Sequence, residues 1–359
     1  MTRGRGTLLG IGLGLLSVAV LVLGVCVGST GFDDLLRPLL HADADPAQAT
    51  MAGRILWDIR LPRTLGAWTA GALLGLAGAL AQGLFRNPLA DPYLLGSAAG
   101  ASLGVALALA AFGGGAGMLG AGAAKPALAT LFSGSIAVRL GLTGAAFCGA
   151  MLAVLLTLAL SRGVQHSLRL LLAGVIVGVV LGAAASLVLL FSPDSLQAMQ
   201  AFMLGSTAFV GWSAWLVMAA VWLSCLAASW VLARGLDGLS LGEATAHTLG
   251  LPVGQLRAAM VGVLALATGT AVAQTGLIAF IGLAAPHLVR AAVHVAHGRL
   301  LVLSSLTGAV LLTAADVLAR GLMAPQELPV GLLTAILGGG YLLWLMQRRG
   351  GAAAQGALS

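Results

Sequence analysis

The sequence predicts an all-α polytopic membrane protein with about ten transmembrane helices, and three observations carry this prediction. Of its 359 residues, 59% are hydrophobic and only 8% are charged, against roughly 25% charged residues in an ordinary soluble domain. Apolar stretches of about 20 residues, the length that crosses a bilayer as a helix, recur along the whole chain. The 52 glycines favour close packing of helices in lipid, because small residues let two backbones approach each other.

Ten stretches meet the length criterion: 7–28, 62–84, 94–112, 142–161, 169–191, 213–233, 257–276, 278–296, 300–319 and 328–346. The first follows Arg3 and Arg5 as a signal peptide would, but it continues to Val27 without a small-residue cleavage site, so we interpret it as a retained span. An even number of spans places both termini on one side. That side carries the larger share of the 18 basic residues, so we expect both termini to be cytoplasmic.

These spans predict a single transmembrane domain over residues 1–350, with a cytoplasmic loop at 235–256 and a C-terminal tail at 351–359. Two sets of glycines at helical spacing predict close helix contacts, namely Gly71, Gly75 and Gly78 in the second span and Gly174, Gly178 and Gly182 in the fifth. The basic residues are scattered singly, which disfavours a nucleic-acid partner.

The polar loop contains the pattern of a short helix outside the membrane. Ser240 and Glu243 form an S-x-x-E pattern that predicts a capping box, while Gly250 and Pro252 predict a C-terminal stop. Together they predict a helix from about Leu241 to Leu249. Such a segment is either a solvated loop or a surface presented to a soluble partner.

No motif for covalent chemistry or nucleotide binding is present. The single lysine, Lys125, follows alanine, so the Gly-Lys of a phosphate-binding Walker loop is missing, and neither HExxH nor GxSxG occurs. We therefore expect no catalytic residue and no cofactor bound by this chain. The acids within spans reduce to Asp316 and Glu327, whereas a gradient-driven carrier usually needs more ion ligands. A secondary carrier and a membrane-embedded enzyme stay as alternatives.

Metal-ligand patterns are equally weak. Cys26, Cys148 and Cys225 lie in apolar runs without CxxC spacing, which indicates packing residues. His287, His294 and His297 fall on the predicted eighth span, where the first two would share a helix face. A heme ligand is one interpretation of such a histidine, but packing or hydrogen bonding is favoured, and we expect no metal site.

A set of motifs in order along the chain resembles the FecCD-type permeases, the membrane subunits of ABC importers for ferric siderophores, heme and vitamin B12. The motifs are Arg60-Leu-Pro-Arg63, Gly78-Ala-Leu-Ala-Gln82, Arg86-Asn-Pro-Leu-Ala-Asp-Pro92, Leu241-Gly-Glu243, Leu249-Gly-Leu-Pro252, Pro286-His287, Ala315-Asp316 and Glu327-Leu-Pro-Val-Gly331. The resemblance covers about residues 54 to 346. It implies a type II ABC importer permease in a bacterial inner membrane, working as a homodimer with two ATPase subunits, which use the ATP, and a periplasmic binding protein.

The resemblance also assigns roles to residues. Arg60, Arg63 and Arg320 match the arginines that pair with glutamates of the binding protein; the alternative is that they anchor helix ends at the membrane surface. Leu241, Gly242, Glu243, Leu249 and Gly250 match the segment that couples to the ATPase. Asn87, Leu89, Ser167 and Leu168 match the cytoplasmic gate, although the Asn87-Pro88 turn could simply end a helix.

The segment Gln82 to Pro92 is most similar to the heme branch, so heme is the expected cargo, with ferric siderophore and vitamin B12 as alternatives. Three departures from the family pattern fall on or near the expected substrate path. Phe202 stands where the family has tryptophan, Gly338-Gly-Gly-Tyr341 replaces a Gly-x-Pro-x-Phe motif, and the segment 113–140 is longer than expected. That segment would be an extracellular loop or an interfacial helix.

Overall fold

A computed structural model describes residues 2–28, 31–32, 46–114, 136–161 and 167–356. The described chain is almost wholly helical. Its α-helices are α1 (Thr2–Cys26), α2 (Pro46–Arg54), α3 (Leu61–Phe85), α4 (Ser97–Gly114), α5 (Ile136–Leu160), α6 (Ser167–Leu190), α7 (Leu196–Leu204), α8 (Trp212–Ser240), α9 (Glu243–Thr248), α10 (Val253–Thr275), α11 (Ile281–Ala292), α12 (His297–Gly321) and α13 (Val330–Gly356). A π-helix, Ile55–Arg60, joins α2 to α3, and short 3-10 helices lie at Pro92–Leu95 and Pro193–Ser195. Two-residue strands, β1 (Val27–Gly28) and β2 (Gly31–Phe32), pair antiparallel.

Nine of the ten predicted spans correspond to apolar helices. Within the described ranges, seven helices are long and apolar enough to cross a membrane, and two shorter apolar helices cover Ser97–Ala111 and Val330–Leu343. This confirms an all-α membrane protein and makes ten an approximate count. Lys125 and most of the segment 113–140 lie outside the described residues.

The predicted eighth span, 278–296, is wrong as a continuous helix. Gly276 and Phe280 both have positive φ, and α11 begins only after Phe280, at Ile281. Val293 is extended, so α11 ends at Ala292 and contains 12 residues. Twelve residues rise only about 18 Å, which is short of a bilayer core. The Tyr93 hydroxyl donates to the Ile278 carbonyl oxygen at 3.1 Å and so satisfies part of this non-helical backbone.

Helix α3 is the centre of the bundle. Of the apolar stretch that ends in α3, 89% is buried, against 22% for α1, α6 and α8. Its glycines explain this position, because a Cβ at Gly71 or Gly75 would collide with the backbone of α12 at Gly308 or Ser304, and one at Gly78 with Gly282 of α11. The predicted close contacts of this span are confirmed.

The second glycine set is only partly in contact. Gly174 of α6 lies against the Leu94 carbonyl, with no room for a Cβ, whereas a Cβ added at Gly182 would have no atom of the described chain within 4 Å. The small face of α6 therefore continues beyond its contact with the rest of the chain.

Candidate functional site

The residues singled out by the sequence fall at two ends of the bundle. Arg60, Arg63 and Arg320 lie at one end, where α3 begins and α12 ends beside the last residues of α1. The turn after α3, the start of α12 and the segment with α9 lie at the other, since Gly83 approaches both Leu236 of α8 and His297. We call these the arginine end and the coupling end.

At the arginine end, Asp316 binds two arginines inside the protein. Its Oδ1 accepts from Arg63 Nη2 at 3.2 Å and from the Thr207 hydroxyl, while its Oδ2 accepts from Arg320, one helical turn away. The Asp316 side chain is fully buried. A buried carboxylate of this kind is stable only when paired, so the cluster holds α3, α12 and the loop before α8 in one arrangement.

Glu327 extends this cluster to the surface. Both its carboxylate oxygens accept from Arg63 Nη1, at 3.0 and 2.9 Å. Its side chain is 26% exposed, against 9% for Arg63. Arg63 is therefore held between a buried acid and an acid at the rim.

The other two arginines bind the end of α1. Arg60 Nη1 donates to the carbonyls of Val25 and Cys26, and Arg320 Nη1 to those of Gly24 and Val27. The last carbonyls of a helix lack intrahelical partners and carry a partial negative charge, so cations there are stabilising. The three predicted docking residues are thus brought together, but each is buried and has partners within the chain.

At the coupling end, the predicted capping box is not formed. Helix α8 continues to Ser240, whose hydroxyl donates to the Asp237 carbonyl at 2.6 Å, and Gly242, with φ +112°, precedes α9 instead. Helix α8 is longer than a membrane crossing needs and includes Ser240 as its last residue. The Ser240 hydroxyl therefore bonds a carbonyl in the last turn of α8. Helix α9 is accordingly Glu243–Thr248, shorter than the predicted Leu241 to Leu249. Gly250 has φ +74°, which agrees with the predicted stop.

The segment around α9 has two exposed leucines and one buried alanine. Ala246 is fully buried, whereas Leu241 and Leu249 are 65% and 61% exposed. Gly242 and Gly250 supply positive φ on either side of the helix. The predicted coupling loop 235–256 therefore includes the last turn of α8 and the start of α10, and its non-membrane part is a short helix between two glycine turns.

The turn after α3 is fixed by backbone bonds. Arg86 adopts the left-handed conformation, the Asn87 N–H donates to the Gln82 carbonyl at 3.2 Å, and Asn87 Oδ1 accepts from the Leu89 N–H at 3.0 Å. The Leu89 side chain is 54% exposed. Just beyond it, Asp91 caps the 3-10 helix through the Tyr93 N–H, and burial raises the pKa of its carboxyl above the usual range.

The Gln82 side chain does not join this turn. Its amide donates to the Leu283 carbonyl at 3.1 Å and its oxygen accepts from Arg290, so it ties α3 to α11. Ser167 starts α6, and Leu168 beside it is 82% exposed. The predicted gate residues at Asn87, Leu89 and Leu168 are therefore exposed and unobstructed by the described chain.

The histidines have separate environments. The predicted common face of His287 and His294 does not exist, because α11 ends at Ala292 before His294. His287 is buried with its ring centroid 6.0 Å from that of Tyr341, and His297 Nδ1 contacts Asp237 at 2.7 Å. Among the described residues, no group of three or more His, Cys, Asp or Glu could hold a metal ion.

Sequence reasoning missed the partners of the arginines. The sequence places Asp316 and Glu327 in motifs but does not identify them as ligands of Arg63, and no pattern indicates Thr207. A buried aspartate one turn before an arginine on an apolar helix, as at Asp316 and Arg320, is the signal that could have indicated an internal ion pair.

The described chain is thus a membrane-spanning helical bundle, with three buried arginines at one end and an exposed short helix at the other. The chain belongs to the FecCD transport family, which matches residues 15–348. It is a transport permease subunit of the ABC importer type and not itself an enzyme.

Three similar proteins illustrate the relationship. The hemin transport system permease protein HmuU of Yersinia pestis is 37% identical over 340 residues, which cover 94% of this chain and 95% of that protein. The vitamin B12 import system permease protein BtuC of Salmonella typhi is 37% identical over 297 residues, 81% of this chain and 83% of that protein. A solved structure described as an inward-facing conformation of a metal-chelate type ABC transporter aligns with a TM-score of 0.77 and 28% identity, covering 95% of this chain and 99% of that one.

Proposed function

We propose that this chain is the permease through which an ABC importer moves heme from the periplasm to the cytoplasm. The observation that carries the cargo is the similarity to the hemin permease, which extends over 94% of the chain, together with the heme-like segment Gln82 to Pro92. Vitamin B12 permeases are nearly as similar, at 37% identity over 81% of the chain and at 35% identity over 93% of it, so coverage does not separate the two cargoes. Cobalamin is therefore the main alternative, with ferric siderophore next.

The proposed orientation rests on the character of the two ends. The coupling end faces the cytoplasm, where the exposed Leu241 and Leu249 provide apolar contacts to an ATPase subunit and Ala246 fixes the helix to the bundle. Both termini are cytoplasmic in this orientation, as the distribution of basic residues favours.

The binding protein docks at the arginine end, through Arg60, Arg63 and Arg320. A carboxylate from the binding protein would exchange with Glu327, the acid of the cluster that is nearest the surface. Among the described residues, the Nε–H groups of Arg63 and Arg320 are buried without an acceptor. Each guanidinium therefore keeps one N–H group that would donate to a carboxylate of the binding protein if that carboxylate reached it.

A second copy of the chain packs on α6. Its outward face carries a row of exposed apolar side chains, including Leu172, Ile176 and Val179, and the uncovered Gly182 lies on the same helix. A homodimer would place the exposed Leu89 and Leu168 of both copies around a shared pathway, where they form the cytoplasmic gate.

A gradient-driven carrier is the rival of another class. Asp316, the acid inside a span, is bound to two arginines and is not available to a transported ion. Transport by the isolated chain in proteoliposomes, with no ATPase subunit, would favour that rival.

The deciding experiment measures ATP hydrolysis and uptake by the permease–ATPase complex in proteoliposomes. Heme, cobalamin and a ferric siderophore are each supplied with a binding protein specific for that ligand. Stimulation of ATP hydrolysis and uptake with heme and its binding protein, but not with cobalamin or siderophore, support the proposal. Stimulation with cobalamin or siderophore instead would overturn the cargo, and activity without ATPase would overturn the importer mechanism.

A further inference from the structure

A groove of about 400 Å³ opens on the side of the bundle where α1, α8 and α12 meet. Its walls are apolar or glycine for most of its length: Gly10 and Ile11 of α1, Trp230 of α8, and Val302 and Leu303 of α12. Ile11 and Trp230 are each 56% exposed, so the groove is open to the surroundings of the bundle. Since these helices cross the membrane, the surroundings are lipid.

The groove has a cationic end. Arg299, near the first turn of α12, lines it and is exposed. Arg234 is exposed one turn beyond Trp230 on the same face of α8. In the part of the chain that the structure describes, neither arginine has a carboxylate partner, and the neighbouring acid Asp237 is engaged by the ring and backbone N–H of His297.

Glycines on α1 shape the groove. The Cβ position of Gly10 lies 3.6 Å from Leu303, and Gly6 is similarly close to Val295 at 3.2 Å. Small residues on α1 thus leave a channel beside α12 that a larger side chain would fill. A Cβ added at Gly298 would lie 3.8 Å from the Trp230 indole, which borders the same groove and is a side chain suited to the membrane–water boundary.

We propose that this groove binds one anionic phospholipid of the cytoplasmic leaflet. Its phosphate lies at Arg299 and Arg234, at the positive end of the α12 dipole, and an acyl chain follows Ile11, Val302 and Leu303. A zwitterionic lipid gains less, because its own ammonium compensates the phosphate charge. The assignment to the cytoplasmic leaflet rests on the proposed orientation, since the groove lies at the coupling end; the binding itself does not.

The test is native mass spectrometry of the detergent-purified chain, incubated with equal amounts of dioleoyl phosphatidylglycerol and dioleoyl phosphatidylethanolamine. We expect the wild-type protein to retain phosphatidylglycerol in preference. Each arginine near an anionic lipid contributes about fivefold, so Arg234→Gln with Arg299→Gln should reduce retention by roughly 25-fold. Arg54→Gln, which removes an exposed arginine at the arginine end, is the matched control and should leave retention unchanged.

A second variant tests the shape of the groove independently of its charge. Gly10→Leu fills the channel without altering an arginine and should also release the lipid, with the melting temperature of each variant checking its folding. Glycerol 1-phosphate at millimolar concentration should not displace the lipid. Equal retention of both lipids, retention by the double arginine variant, or displacement by glycerol 1-phosphate would each overturn the proposal. None of these outcomes depends on the cargo or on the ATPase, so the result is separate from that of the transport assay.

Discussion

Arg63 donates to Asp316 through one nitrogen and to Glu327 through the other, so a single guanidinium joins a fully buried acid to one at the protein surface. These residues belong to α3, α12 and the segment before α13, elements far apart in the chain. The ion cluster is therefore a structural link between these elements, and Glu327 is its most exposed member.

Removal of Asp316 should be strongly destabilising. Asp316→Ala leaves Arg63 with Glu327 as its acid partner, but Arg320 stays buried with an uncompensated charge, which typically costs about 3–5 kcal/mol. A thermal-unfolding measurement in detergent should show a clear drop in melting temperature. Asp194→Ala, at an exposed position, should change stability by less than about 0.5 kcal/mol. Equal melting temperatures for the two variants would mean that the cluster contributes little.

Neutralising Glu327 should strengthen docking of the binding protein. Glu327→Gln weakens the internal competitor for Arg63, and a partly exposed ion pair contributes up to about 1 kcal/mol, so affinity should rise up to about fivefold. Titration of the binding protein against the permease–ATPase complex measures this. Asp58→Asn, an exposed acid on the π-helix before α3, is the control for loss of one negative charge. Weaker docking by the Glu327 variant would show that Glu327 positions Arg63 and does not compete for it.

Charge on the exposed leucines beside α9 should uncouple ATP hydrolysis from uptake. Leu241→Asp and Leu249→Asp place a carboxylate in an apolar contact, where loss of a central side chain costs about 2 kcal/mol or more, so uptake should fall by at least about tenfold. Binding-protein docking, measured separately, should be unaffected. The same change at Leu322, 58% exposed near the arginine end, should leave the ATPase contact intact. Loss of docking in the leucine variants would place α9 on the opposite side of the membrane.

Cross-links at the gate should stop transport. In a chain with Cys26, Cys148 and Cys225 replaced by serine, Leu89→Cys or Ser167→Cys should form a disulfide between two copies under oxidation and block uptake. Reduction should restore it. A cysteine at Leu8, exposed on α1, serves as the control for oxidation itself. Uptake that continues with the link intact would exclude a gate at these positions.

The two kinds of glycine contact can be separated by alanine and leucine substitutions. Gly75→Ala forces a methyl group against the backbone of α12 and should lower stability by about 1–3 kcal/mol, whereas Gly12→Ala on α1 has open space and should not. Gly182→Leu should preserve the fold of one chain but weaken self-association, which light scattering in detergent would detect. A Gly182 variant that dimerises as wild type would remove α6 from the interface.

Local pattern predicted much of this molecule, as particular elements show. The length of apolar runs marked nine helices, and four-residue spacing found the contacts of Gly71, Gly75 and Gly174. Pattern failed where local signals competed. Ser240 satisfies the S-x-x-E motif in sequence, but the preceding helix extends through it, and the run at 278–296 is apolar enough to span yet is broken by backbone turns at both ends.

The sequence by itself determined that this is a polytopic helical membrane protein and that it carries no motif for nucleotide hydrolysis. It also determined that α3 carries glycines at the spacing that lets neighbouring helices approach closely. Composition and spacing suffice for these, because they depend on residues close together in the chain. Only the tertiary structure decided that Asp316 and Glu327 hold Arg63, that Gln82 reaches Arg290, and that Arg299 closes a groove beside Trp230. These relationships join residues that are distant in sequence. They exist because α3 packs against α11 and α12, and because α1 lies beside α12, at distances that glycine permits.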